Sequence, residues 1–292
     1  MPNRQSQTPN AKSPPTAWSD AAHWYDQLVG ESGSEYQQKV VFPGVLRLLA
    51  LSPGEQVLDL ACGQGALCRL LRDRGAAVTG VDASHELIRI ARKREIAQGL
   101  GAGGQSSPGA PQATCARLAK TQTHYVVGDA RKLDVLWAGR FDAAACVLAI
   151  QNIYPIEPVF AGVARALREG GRFVLVMMHP CFRSPKHSSW GWDEQAQVQY
   201  RRVDRYLLSR KEPIVTQPGA DPGKYTWSFH RPLQSYARAL SQSRLLIDAI
   251  EEWPSHKTSG PGPRASAENA ARKEIPLFLA IRAIRHAAPA RD

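Results

Sequence analysis

The stretch Val57-Leu58-Asp59-Leu60-Ala61-Cys62-Gly63-Gln64-Gly65 decides the fold. It opens as a short apolar run with a β-branched residue, the pattern of a buried strand. Two glycines one residue apart follow. From Ala66 to Arg74, apolar Leu67, Leu70 and Leu71 recur at helical spacing with basic residues between them. The reading is strand, tight turn, helix. Without Cβ atoms, Gly63 and Gly65 let a ligand come close to the backbone and can take positive φ. The helix that follows adds unpaired N–H groups and a partial positive charge.

Two kinds of nucleotide ligand fit this turn. A dinucleotide fingerprint asks for Gly-x-Gly-x-x-Gly, or Ala at its end; here the last small position is Cys68. Asp59, four residues before the first glycine, belongs to another pattern. The segment resembles motif I of the class I S-adenosylmethionine-dependent methyltransferases: two hydrophobic residues, Asp, any residue, Gly or Ala, Cys, Gly, any residue, Gly. The resemblance is to the type 11-like, small-molecule branch. It implies that backbone around Ala61, Cys62, Gly63 and Gly65 holds the methionine part of S-adenosyl-L-methionine.

The rest of the βα pattern supports an α/β reading. Ala77 to Asp82 is a second short strand ending in an acid, with Ser84 as N-cap of a helix from Glu86 to Ala97. Asp82, followed by Ala83, stands where a carboxylate accepts two hydroxyl hydrogen bonds from a ribose. His124 to Val127 is a third strand, closed by Gly128-Asp129-Ala130. In the resembled family this site places its carboxylate near the adenine amino group; the alternative is an Asx-turn in which Asp129 only caps. Phe141 to Ala149 reads as a central parallel strand. Its carboxyl end, with Leu148, Gln151 and Asn152, faces the crevice where ligands of open α/β sheets bind. No Asn-Pro-Pro-Tyr or Asp-Pro-Pro-Tyr run occurs there, which weighs against adenine and glutamine N-methylation. A helix from Glu157 to Arg168, capped at Glu169-Gly170-Gly171, leads to a fifth strand, Arg172 to Met178.

Leu245 to Trp253 reads as strand six and Ile275 to Arg285 as strand seven, joined by a Pro/Gly/Ser loop. Consecutive strands joined without a helix are antiparallel neighbours. A methyltransferase sheet needs that reversed last strand, and a standard dinucleotide-binding sheet does not. The expected fold is therefore a Rossmann-like α/β sheet of seven strands with an antiparallel last strand and helices on both faces.

Outside this frame, residues 1–16 read as a disordered tail and 17–285 as one methyltransferase domain. Within it, 17–50 read as an N-terminal helical lid, 99–122 as a flexible insertion and 181–230 as a cap over the active site; 286–292 form a second tail. The resemblance makes Tyr25 the candidate lid residue against the cofactor; packing of a helix onto the sheet is the alternative. The cap is dense in aromatics: Trp190, Trp192, Tyr200, Tyr206, Tyr225, Trp227 and Phe229. Val203 to Thr216 and Tyr225 to His230 could pair around Gln217-Pro218-Gly219.

The chain has 292 residues, 43% of them hydrophobic, a formal charge of +11 and five scattered cysteines. No apolar run reaches the ~20 residues of a membrane span, and the polar N-terminus shows no secretory signal. Cysteines without paired spacing indicate a reducing, cytoplasmic compartment and no zinc site. The positive charge fits an acidic small substrate as well as nucleic acid, and no aromatic-interleaved basic stripe is present.

The expected activity is methylation of a small-molecule acceptor at O, N or C by in-line displacement. The alternatives are an RNA methyltransferase and a non-catalytic binder of S-adenosylmethionine or S-adenosylhomocysteine, the latter marked by a crevice plugged by Trp190 or Trp192. Such a displacement depends mainly on alignment. A hydroxyl or carbon acceptor gains from a base, for which His179, ending strand five, and His230 are the candidates. The sequence carries no signal for an oligomeric state.

Overall fold

The computed structural model describes residues 17–102, 123–133, 135–217 and 221–287. The expected tail over 1–16, most of the insertion over 99–122, the turn at 218–220 and the chain end from 288 lie outside the described residues.

The chain begins with α1 (Ala17–Val29), a π-turn (Gln37–Val41) and α2 (Phe42–Leu49). There follow β1 (Gln56–Leu60), α3 (Ala66–Arg72), β2 (Ala77–Asp82), α4 (His85–Ala102) and β3 (His124–Val127). Next come β4 (Phe141–Val147), α5 (Glu157–Ala166) and β5 (Leu167–Met178). Two hairpins leave from β5: β6 (Ser188–Asp193) with β7 (Val198–Val203), and β8 (Arg210–Gln217) with β9 (Asp221–His230). The chain closes with α6 (Leu233–Gln242), β10 (Leu245–Trp253), α7 (Ala265–Glu274) and β11 (Phe278–Arg285).

The main sheet has seven strands in the order β10-β11-β5-β4-β1-β2-β3. β1 pairs in parallel with both β2 and β4. After β3 the chain crosses back to the other side of β1, so the strand order reverses between β1 and β4 and opens a crevice at their carboxyl ends. β11 runs antiparallel to both neighbours, β10 and β5. This is the expected reversed last strand.

Both faces of the sheet are covered, which is why its strands read as near-continuous apolar runs. Successive side chains alternate between two cores. Leu58, Leu60, Ala144 and Cys146 pack with Phe160, Phe173 and Tyr236 on the side of α5 and α6. Val57, Ala143 and Ala145 pack with Val45, Leu49, Leu71 and Ile88 on the side of α2, α3 and α4.

Several sequence boundaries move. The helix after β4 ends at Ala166, not at the glycines, because Leu167 turns extended and starts β5. The N-terminal helical segment is not continuous: the π-turn separates α1 from α2, which starts at Phe42. The Pro/Gly/Ser stretch before β11 contains α7. Only Ala271 of that helix is buried, so it carries no apolar periodicity to read.

Among the described residues, no helix is long and apolar enough to cross a membrane.

Candidate active site

A cavity of about 350 Å³ opens at the carboxyl ends of β1, β2 and β4. Its floor is backbone from the strand ends: Ala61 and Gly63 after β1, Asp82 and Ala83 at β2, Gly128 to Ala130 after β3, and Val147 to Ala149 at β4. Trp18 and Tyr25 of α1 close one side, and Tyr154 with Thr226, Trp227 and Phe229 the other.

The floor is conformationally unusual. Ala61 (φ 52°) and Leu148 (φ 56°) both take the left-handed region, and both line the cavity. For residues with a Cβ this is uncommon and costs on the order of 1–2 kcal/mol. Gly63 (φ 57°) takes the same region, and a Cβ there would stand 3.4 Å from Tyr25 Cε1. The bare peptide is thus the surface presented to a ligand. Gly65 has a different reason to be glycine. At φ 83° it lies under Tyr125, whose Cε1 and Cζ would be 2.9 Å from an added Cβ.

Asp82 ties the floor together. One carboxylate oxygen accepts the N–H of Gly63 at 2.9 Å and the other that of Ser84 at 2.8 Å. Each oxygen keeps a lone pair for a further donor. Burial raises this carboxyl above its ordinary value, and the two N–H donors pull it back. Asp129 is set differently. Burial opposes its ionisation, but hydrogen bonds from Arg131 outweigh this and hold the carboxyl below its ordinary range. Arg131 also donates to the Tyr154 carbonyl at 2.9 Å, linking the β3 end to the far wall.

The N-terminal helix is fastened across the motif. Arg94 makes a two-pronged pair with Asp26, at 2.5 and 3.0 Å, and also donates to Gln64. Gln64 Nε2 donates to the Gly30 carbonyl, and Arg69 to the Gln64 and Glu31 carbonyls. Gln64 and Arg69 are buried polar residues with these partners. Tyr25 is held over the cavity floor, and burial, with Asp82 and Asp59 nearby, pushes its phenol up to about 12.

Tyr25, Ala61, Gly63, Asp82, Ala83, Gly128, Asp129, Ala130 and Leu148 line the cavity. Asp59 and Cys62 do not; they line a smaller neighbouring cavity beneath it. Asp59 is buried and accepts the Cys68 thiol at 3.1 Å. Burial pushes its carboxyl up to about 7. Gly65 lies under Tyr125, away from the main cavity.

Neither candidate base is in the cavity lining. His179 is buried, with Nδ1 accepting the Cys181 N–H at 3.2 Å and Nε2 against Glu252 at 2.8 Å. An acceptor Nδ1 puts the proton on Nε2, facing Glu252. Burial lowers its pKa, partly offset by that carboxylate. His230 Nε2 meets the Tyr206 carbonyl at 2.7 Å, and burial lowers its pKa too. The side chains flanking the cavity's far wall are instead Asn152, Tyr154, Thr226, Trp227 and Phe229. Asn152 donates to the Trp227 carbonyl at 2.9 Å, and Tyr154 stacks on Phe229 with centroids 5.3 Å apart. Tyr154 and Trp18 had no sequence signal, because nothing in their spacing relates them to the strand ends; Arg131 directly follows the Gly128-Asp129-Ala130 strand end, but its type alone did not mark it.

The methyltransferase-domain family model matches residues 58–175. A demethylmenaquinone methyltransferase of Tropheryma whipplei is 29% identical over 209 residues, covering 71% of this chain and 63% of the relative. An uncharacterised methyltransferase of Synechocystis is 34% identical over 136 residues, covering 46% and 52% respectively. The chain therefore spans less than two thirds of these relatives' lengths. The crystal structure of an S-adenosylmethionine-dependent methyltransferase from Mesorhizobium loti superposes with a TM-score of 0.59 at 26% identity, covering 84% of this chain and 97% of that one. Motif, reversed last strand and matched segment agree: residues 58–175 match the methyltransferase domain, and the chain is similar in sequence and fold to S-adenosylmethionine-dependent methyltransferases.

Proposed function

We propose that this protein transfers a methyl group from S-adenosyl-L-methionine to a small, largely apolar acceptor. The observation that carries this reading is the composition of one cavity. Its floor is strained bare peptide flanked by Asp82 and Asp129, and its far wall is Tyr154, Trp227 and Phe229. The residues fit the cofactor. Asp82 retains acceptor capacity for two ribose hydroxyls, Asp129 stands at the adenine end, and Ala61 to Gly63 offer backbone to the methionine part. Tyr25 covers that backbone as the lid residue, with 17–50 as the lid and the β8–β9 hairpin as the working part of a cap within 181–230.

The cofactor supplies an electrophilic methyl on a sulfonium whose leaving group is a neutral thioether, so no side chain has to protonate it. What the protein adds is alignment, which supplies up to ~7–11 kcal/mol when both reactants are held in line. The aromatic wall holds the acceptor by apolar contact and excludes water. Among the described residues no imidazole lines the cavity, so we assign no base role to His179 or His230. The acceptor is then a nucleophile that needs no protein base: a neutral amine, or an oxygen or carbon acid that ionises readily.

The relative from Tropheryma whipplei is named for a small-molecule acceptor, demethylmenaquinone, which supports the same substrate class. The plugged-crevice alternative has no support, because Trp190 and Trp192 are not in the lining. A reducing, cytoplasmic location is supported by Cys62, Cys68, Cys146 and Cys181, all free thiols.

The test is calorimetric titration with S-adenosylmethionine and with NADH, followed by a metabolite-extract screen for a mass gain of one methyl. Binding of the sulfonium nucleoside and a methylated product of low molecular mass are expected. Methylation confined to RNA, or binding without any product, would reject the proposal.

A further inference from the structure

Beyond the cavity, the carboxyl end of β5 carries a second concentration of charge. Arg183 lies in the turn after β5, its N–H donating to the His179 carbonyl at 2.8 Å. Its guanidinium reaches only backbone oxygens, those of Pro276 at 3.3 Å and Ile275 at 3.5 Å. Arg201 on β7 behaves alike, donating to the Phe182 carbonyl at 2.8 Å and to Ser188 Oγ at 2.8 Å. The guanidinium carbons of both stand 5.1 Å from the centroid of the Trp190 ring. Two cations thus share one indole.

Arg272, in the last turn of α7, is the third member. It lies close enough for its charge to act on Arg183, and its buried Nε has no hydrogen-bond partner. All three arginines are half-buried. Among the described residues, no carboxylate forms an ion pair with any of them, whereas arginines elsewhere find one: Arg47 with Glu251, Arg72 with Glu95, Arg94 with Asp26, Arg282 with Asp248. Burial, then Arg201 and Arg272, pulls the Arg183 guanidinium down to about 10, with only the Tyr36 phenol acting the other way. Like charges gathered out of water without a counter-charge are costly. An oxyanion among them would reverse that cost, and guanidinium forks match tetrahedral oxyanions in geometry.

We propose that Arg183 and Arg201, which share the Trp190 ring beyond the end of β5, bind a phosphate group together with Arg272 of the neighbouring α7. Two of the three cations share one ring, a compact grouping that suits one phosphate dianion and not the repeating charges of a nucleic-acid backbone. It is separate from the methyl-transfer cavity, since none of its residues lines it, and it stands whether or not the acceptor assignment does. The phosphate is either free or carried on a larger small molecule; the dianion is the shared chemistry.

The test is calorimetry on the full chain with inorganic phosphate, phenyl phosphate and a single-stranded RNA oligonucleotide. One phosphate per chain is expected to bind. Arg201→Gln and Arg272→Gln should each weaken it about tenfold or more, and Arg202→Gln, an exposed neighbour on β7, should not. Arg272 makes no hydrogen bond in the structure, so its variant keeps the test valid should Arg201→Gln fail to fold. Tighter binding of phenyl phosphate than of inorganic phosphate supports a tethered phosphoryl group; equal binding supports free phosphate. Absence of phosphate binding overturns the proposal. So does binding indifferent to Arg272→Gln, or RNA binding that phosphate does not displace.

Discussion

Replacing Asp82 by alanine separates its structural role, holding the cavity floor, from its proposed role of holding a ligand. In the folded protein its carboxylate accepts two backbone N–H groups, from Gly63 at 2.9 Å and Ser84 at 2.8 Å. Losing both partners costs about 1 kcal/mol each in stability, so a loss of about 2 kcal/mol is expected. The buried carboxylate also disfavours its own ionisation, which makes this an upper figure. Ligand binding loses more. Two ribose hydroxyls donating to a carboxylate are worth about 1.5 kcal/mol each at the low end for charged acceptors. The sum, about 3 kcal/mol, raises the dissociation constant for S-adenosylmethionine by roughly 150-fold. Titration calorimetry gives the affinity, and urea unfolding without ligand gives the stability. A folded Asp82→Ala protein that binds the cofactor within about threefold of the parent would refute the ribose assignment, and with it the orientation given to the cavity.

Gly65→Ala should cost about 2–4 kcal/mol in urea unfolding, because a Cβ at φ 83° adds backbone strain to a collision with Tyr125. Gly139→Ala, at φ 65° with open space around it, should cost only about 1–2 kcal/mol; equal losses would disprove the packing argument. Asp59 supplies a pH test. Its folded carboxyl is raised to about 7 by burial, so the folded state holds the proton longer than the unfolded chain, and stability falls as pH rises from about 4 to 7. Asp59→Asn should remove this slope, and its stability relative to the parent should grow over that interval by up to about 4 kcal/mol; parallel profiles would contradict it. His179→Asn should leave turnover per folded protein within about threefold and its pH profile unshifted, since both ring nitrogens are engaged outside the cavity. A tenfold fall in kcat that varies with pH would restore it as a base.

The sequence by itself determined the frame. Val57 to Gly65 announced a strand, a turn and a helix because burial on both faces demands an apolar run and close approach demands glycine. Asp82 and Asp129 were legible because each ends a short strand, and parallel strands bring their carboxyl ends to one edge. The direction of β11 matched the expectation although its premise, a connection without a helix, did not hold: α7 lies there, and an alanine helix with one buried residue has no stripe to display.

Only the tertiary structure decided which groups share the cavity. Asp59 and Asp82 look alike in sequence, both acids beside short strands. Asp82 stands at its strand's end, in the cavity wall, whereas Asp59 lies within β1 and faces Cys68 in the interior. His179 reaches the correct edge of the sheet, but its ring is turned to Glu252 and the Cys181 amide. The positive φ of Ala61 and Leu148 and the pairing of Tyr154 with Phe229 have no local signature. Residue type and period fix which element forms and where it ends. The direction a side chain takes from that end depends on partners distant in the chain, and those meet only when the sheet and its hairpins have packed.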